Sequence, residues 1–199
     1  MRFRVRDALL VPVAALLVLP LAACGEEQPA SPASDVPGSA SPGHQGHGNG
    51  HHMHGGRESA TPAYLLPGDV RTGRFAALPG APSTASDISG SAWVTQNDKG
   101  TTLTIEVTGL RPSTGYAGHL HTQPCSQDDG GPHFTFDPGG PQQPPNEVHV
   151  AFTADHLGNG LTTVENPRRV GDGAQAVVLH DATGRSRLVC ADLLPAPTT

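Results

Sequence analysis

Leu103-Thr104-Ile105-Glu106-Val107-Thr108 alternates apolar and polar side chains without a break. Successive side chains on a strand leave by opposite faces. This run therefore sends Leu103, Ile105 and Val107 one way and Thr104, Glu106 and Thr108 the other, the pattern of a half-buried strand. Ser91 to Gln96, Tyr116 to His121, Glu147 to Thr153, Leu161 to Glu165, Ala176 to His180 and Arg187 to Leu193 also read as strands, several with clean alternation. Asn97-Asp98-Lys99-Gly100 has hairpin chemistry between two of these runs. No stretch sustains a helical period, so residues 68–195 are expected to form one all-β domain, an antiparallel sandwich or barrel.

The flanks carry other signals. Arg2, Arg4 and Arg6 precede an apolar run from Ala8 to Ala23, which contains Pro12 and Pro20 and ends Leu21-Ala22-Ala23-Cys24. A basic flank, a short apolar centre and small residues before a cysteine read as an export signal with a bacterial lipoprotein cleavage box. Residues 1–23 are then removed, and a lipid on Cys24 holds the chain to the cell membrane or envelope, facing outside the cytoplasm. An uncleaved anchor is the alternative, though the run is short for a span. Residues 24–67 are rich in Gly, Pro, Ser and Ala and poor in large apolar side chains. They cannot bury enough surface to offset their ordering entropy, which makes them a flexible tether. Within it lie His44, His47, His51, His52 and His54, with Met53, on a glycine-rich background. Such tracts bind metal through many interchangeable geometries, and this one reads as a low-specificity metal collector feeding the domain, a solubilising linker with chance histidines being the alternative. Residues 196–199 form a tail.

With Cys24 taken by lipid, Cys125 and Cys190 remain. In an oxidising compartment they read as a disulfide, two free thiols being the alternative. Residues 1–23 hold three arginines and one aspartate, so the mature chain has nine basic and 17 acidic residues, a net charge of about −8 with histidine neutral. Such a surface gives no support to a nucleic-acid role and repels small anions at long range.

The chemistry-bearing residues sit at the ends of the strand-like runs. In His119-Leu120-His121 alternate side chains share a face, so two imidazoles can be presented to one point, a metal-site geometry. His133, Leu179-His180-Asp181 and Arg187-Leu188-Val189-Cys190 follow. Four neutral imidazoles suit late first-row divalent metals, and an approximately planar nitrogen set favours copper. Each residue alone has an ordinary reading: His180 as a strand-end histidine, His133 as a turn residue, Arg187 as a solvated edge cation.

Gly90-Ser91-Ala92-Trp93, Val107-Thr108-Gly109-Leu110, Gly118-His119-Leu120-His121, Gly130-Gly131-Pro132-His133, Leu179-His180-Asp181 and Arg187-Leu188-Val189-Cys190 occur in this order. Together, over residues 70–193, they resemble the exported copper/zinc superoxide dismutases. The resemblance implies an immunoglobulin-like Greek-key β-sandwich and copper-dependent dismutation of superoxide to dioxygen and hydrogen peroxide. It also implies His119, His121 and His180 as terminal copper ligands, and His133 as the ligand that in the family bridges copper to zinc and carries a proton. Arg187 is implied as the cation that attracts the anion, and Cys125 with Cys190 as the disulfide.

The chain departs from the family in two places. Where the family has further zinc ligands, residues 134–146 contain no histidine, and the stretch offers only Asp137, with Glu147 next to its end. His149 lies in a strand among Val148, Val150 and Phe152, and His156 in the turn Asp155-His156-Leu157-Gly158, neither where a zinc ligand is expected, so zinc is not expected here. Second, only residues 181–186 separate His180 from Arg187, which leaves the copper more open to solvent. Both departures resemble the copper-only branch of the family. The alternative reading is a lipid-anchored copper-binding protein, for buffering or delivery, without dismutase activity.

Overall fold

A computed structural model of the chain describes residues 60–197; the signal segment, Cys24 and the tract from His44 to His54 lie outside the described residues. The alternating run forms β4 (Gly100–Thr108), which returns alongside β3 (Ser89–Asn97) through Asp98-Lys99, with Asn97 opposite Gly100. Gly100 has φ +123°, a conformation that costs glycine nothing. β1 (Asp69–Arg74), β10 (Leu194–Pro195) and β7 (Gly160–Asn166) complete a first sheet of order β10-β1-β3-β4-β7. The second sheet, of order β2-β9-β8-β5-β6, is built from β2 (Ala76–Ala77), β9 (Arg187–Asp192), β8 (Ala176–Asp181), β5 (Gly115–His121) and β6 (His149–Thr153). Every pairing is antiparallel. All the expected strands are present. β1, β2 and β10 carry little sequence signal, since Asp69-Val70-Arg71-Thr72-Gly73-Arg74 holds a single large apolar residue.

The two sheets face each other across one core. Val94, Leu103, Ile105 and Val107 of the first meet Leu120, Val150, Val177, Leu179 and Val189 of the second, all essentially without solvent contact. At roughly 25 cal/mol per Å² of apolar surface removed from water, this core is the main stabilising term. Gly118 lets the sheets close: a Cβ there would lie 2.8 Å from Ile105 Cδ1 and 2.9 Å from Val150 Cγ2.

Thr104, on the polar side of its strand, is nonetheless fully buried. The cause is the segment at 60–66, inside the stretch read as tether. Ala63 N–H donates to Thr104 Oγ1 (2.8 Å), Thr95 Oγ1 donates to the Ala63 carbonyl (2.6 Å), and Tyr64 packs edge-on to Trp93 at 4.9 Å. The packed domain therefore begins at about Ala63 and not at 68, because a row of threonine hydroxyls supplies partners for the segment's backbone.

On the second sheet, Leu120, Val177, Leu179 and Val150 point into the core, so their neighbours His119, His121, Val178, His180 and His149 belong to the opposite, outer face. Part of the loop from 122 to 148 covers that face, with Gly130 packed on Val178 and His121, and His133 paired with His121, while Phe134 and Phe136 pack against the core. The Cys125–Cys190 disulfide fastens this covering loop to β9, as expected. No helix among the described residues is long and apolar enough to cross a membrane.

Candidate metal centre

The outer face of β5 gathers the site. His119 and His121 lie two residues apart on it, and β8 brings in His180 beside Ala117, at an irregularity in the β8–β9 pairing. His133 arrives from the covering loop, bridged to His121. One ligand nitrogen from each of His119, His121, His133 and His180 lies within 4.8 Å of the others, so the structure brings together all four expected residues. Gly130 makes the approach feasible: at φ +97° it packs where a Cβ would meet Val178 Cγ2 at 2.9 Å and His121 Cβ at 3.4 Å.

Hydrogen bonds set the tautomers. The Gly131 carbonyl can only accept, so His121 Nδ1–H donates to it (2.9 Å) and leaves the Nε2 lone pair free. His133 Nδ1–H donates to Glu147 Oε1 (3.0 Å), freeing its own Nε2. His121 Nε2 and His180 Nε2 lie 3.4 Å apart. Two nitrogens sharing one tetrahedral ion with bonds of about 2.0–2.1 Å are separated by roughly this distance. His119 Nδ1, His180 Nδ1 and His149 Nε2 are buried with no hydrogen-bond partner. An unsatisfied buried polar group costs roughly 1–3 kcal/mol, and a ligated ion relieves such a cost at any nitrogen that it reaches.

Burial makes these rings hard to protonate. It pushes His119 down to about 2, with the neighbouring rings adding, and His121 down to about 3 against the opposing hydrogen bond to Gly131. His180 falls to about 4 and His149 is lowered too, burial again the largest cause. All four are neutral at pH 7, the form that ligates metal.

Arg187 stands at the edge of the cluster, paired across the strands with His180. Its Nη1 donates to the carbonyls of Asp128 (2.7 Å) and Asp129 (3.2 Å), and its Nη2 to Gly131 (2.9 Å), the carbonyl that also holds His121. Nε–H and the second Nη2–H have no acceptor among the described residues. The short link from 181 to 186 is closed by Asp181, whose Oδ1 accepts from Thr183 Oγ1 (2.6 Å) and Thr183 N (3.0 Å). The Thr183 hydroxyl is the first cause holding Asp181 down to about 2.

The other candidates separate. Asp137 is exposed and held by Arg168 in a two-point ion pair (2.6 and 2.9 Å), while Arg168 also covers the Phe136 ring. Asn146 bonds to Asp137 N and to the carbonyls of Asp137 and Pro141, so side chains order the 134–146 loop without a metal ligand. His156 is exposed in its turn. His149 differs from its sequence reading. β6 pairs with β5 so that His149 lies opposite His119, their ring centroids 4.3 Å apart, and His119, Glu147 and His149 form a second group whose ligand atoms lie within 4.8 Å of one another. The available signal was its phase: His149 alternates with core residues Val148 and Val150, which puts it on the histidine face once β6 is paired with β5.

No family model matches the chain, and no curated protein matches it. Among solved structures it is similar to the Cu/Zn superoxide dismutase from Brucella abortus, at 16% identity over 62% of this chain and 99% of that one, with a TM-score of 0.44. It is also similar to a double mutant of a SOD-like protein from Bacillus subtilis, at 16% identity over 62% of this chain and 96% of that one, with a TM-score of 0.41. The chemistry of the centre rests on its own side chains.

Proposed function

We propose that the chain is a copper-dependent superoxide dismutase of the cell envelope, facing outside the cytoplasm and tethered by a lipid on Cys24, with copper held by His119, His121, His133 and His180. The observation that carries this reading is the four-imidazole cluster, buried except at His133, with Arg187 pinned at its edge. The donor set fits copper: four imidazoles, two of them with tautomers fixed by carbonyl or carboxyl partners, and His119, His121 and His180 held neutral by burial. Copper bound there supplies a one-electron couple by which two superoxide anions and two protons become dioxygen and hydrogen peroxide.

The chain's own residues supply the rest. Arg187 keeps two N–H groups for an anion and provides positive potential on a molecule whose net charge repels one. His133 is about a quarter exposed, whereas His119, His121 and His180 are buried, so water reaches the cluster at His133. Glu147 holds the proton on His133 Nδ1, so Nε2 is the atom that would hold copper and, when not bound to it, would carry a proton. The disulfide supports an exported setting.

Elemental analysis of the chain from residue 25 onward, alongside a superoxide-decay assay, tests the reading. Copper bound with dismutation that His180→Ala abolishes supports it. Copper bound without dismutation leaves a copper store in its place.

A further inference from the structure

We propose a second metal position beside the four-histidine cluster, formed by Glu147, His149 and His119, that takes a divalent ion of the zinc or cobalt class. Arg187 lies on β9 and His149 on β6, at opposite ends of the row β9-β8-β5-β6, so this position faces away from the anion-binding edge.

Three observations converge on it. One ligand atom from each of the three residues lies within 4.8 Å of the others. His149 Nε2 and His119 Nδ1 are buried without a partner, although their rings stand edge to face at 4.3 Å and neither donates to the other. A cleft of about 200 Å³, walled by Pro144, Pro145 and Pro167, is lined also by Glu147 and His149 and by none of the four histidines of the cluster. Two imidazoles and one carboxylate are a three-ligand set used for zinc, leaving a fourth place for water. His119 is common to both groups, and it can serve both through its two ring nitrogens once its N–H proton is released to solvent.

Nothing here depends on residues 134–146, whose carboxylate Asp137 is committed to Arg168. The position also does not depend on the dismutase reading.

The test uses the chain from residue 25 onward with His44, His47, His51, His52 and His54 each changed to Ser, so that the tract cannot contribute. The protein is loaded with copper, freed of excess metal and titrated with cobalt(II), followed by elemental analysis and by the visible absorption of four-coordinate cobalt. One cobalt per chain is expected beside the copper. His149→Ala should keep its copper and bind cobalt at least about tenfold more weakly, and Glu147→Gln should weaken it in the same direction. Copper-loaded protein that takes up no cobalt, or cobalt binding unchanged in His149→Ala, overturns the proposal. Superoxide turnover is not a readout: a chain that binds both metals without dismutation passes, and an active chain that takes no cobalt fails.

Discussion

Arg187 commits three N–H groups to the carbonyls of the 128–131 turn, so the fold fixes its position as well as its charge. Arg187→Ala should therefore lower the second-order rate with superoxide about tenfold and flatten its salt dependence, with copper content unchanged by elemental analysis. Glu147 acts one bond further out. Glu147→Ala leaves His133 Nδ1–H without its acceptor and should weaken copper binding about 10–100-fold in a chelator competition. The buried imidazoles set a pH dependence. An unfolded histidine takes up a proton near pH 6.5, while folded His119, His121 and His180 resist until about 2, 3 and 4. Protons therefore favour the unfolded chain as pH falls below about 6.5, and stability is fully present above it. Urea titrations of the copper-free protein should show midpoints that fall steadily from pH 7 to pH 4. A midpoint independent of pH would contradict the burial of these rings.

Among the elements, β5 and the loop that covers it bear most on the centre. The Cys125–Cys190 link spans 65 residues and ties that loop to β9, and Cys125 N–H donates to Asp192 Oδ1 beside it. Its reduction should cost about 4 kcal/mol of stability by the chain-entropy estimate, read as a lower denaturation midpoint. It should also slow superoxide decay, since the turn that pins Arg187 is in the same loop. At the core face of β5, Gly118→Ala should destabilise by about 1–3 kcal/mol, because the added methyl meets Ile105 and Val150. The alternation in β4 and the His119–His121 spacing are legible in the sequence because they are local. The place of His149 beside the cluster is not legible there because it depends on the β5–β6 register, and the start of packing at Ala63 depends on threonines more than thirty residues away. Both facts are long-range, and for residues 60–66 the composition of the 24–67 stretch around them, poor in large apolar side chains, also pulls the wrong way.

At the scale of the whole molecule, the formal net charge of −6 opposes superoxide at a distance, so on the proposed reading rapid turnover would depend on the local field of the metal and Arg187. The tract from His44 to His54, outside the described residues, belongs to the same scale. Deleting it should leave activity at full copper occupancy unchanged and slow loading when copper is scarce, because a tethered histidine segment raises the local metal concentration. Equal loading rates with and without it would remove that role. The central claim is that the four-histidine centre dismutates superoxide with copper. The most direct measurement is the decay of superoxide, followed by stopped flow, as the copper-free chain carrying serine at the five tract positions is titrated with copper. The catalytic rate should rise in proportion to added copper and level off at one ion per chain, with no rise when zinc is added alone. A chain that binds one copper while superoxide decays no faster than in its absence would contradict the account.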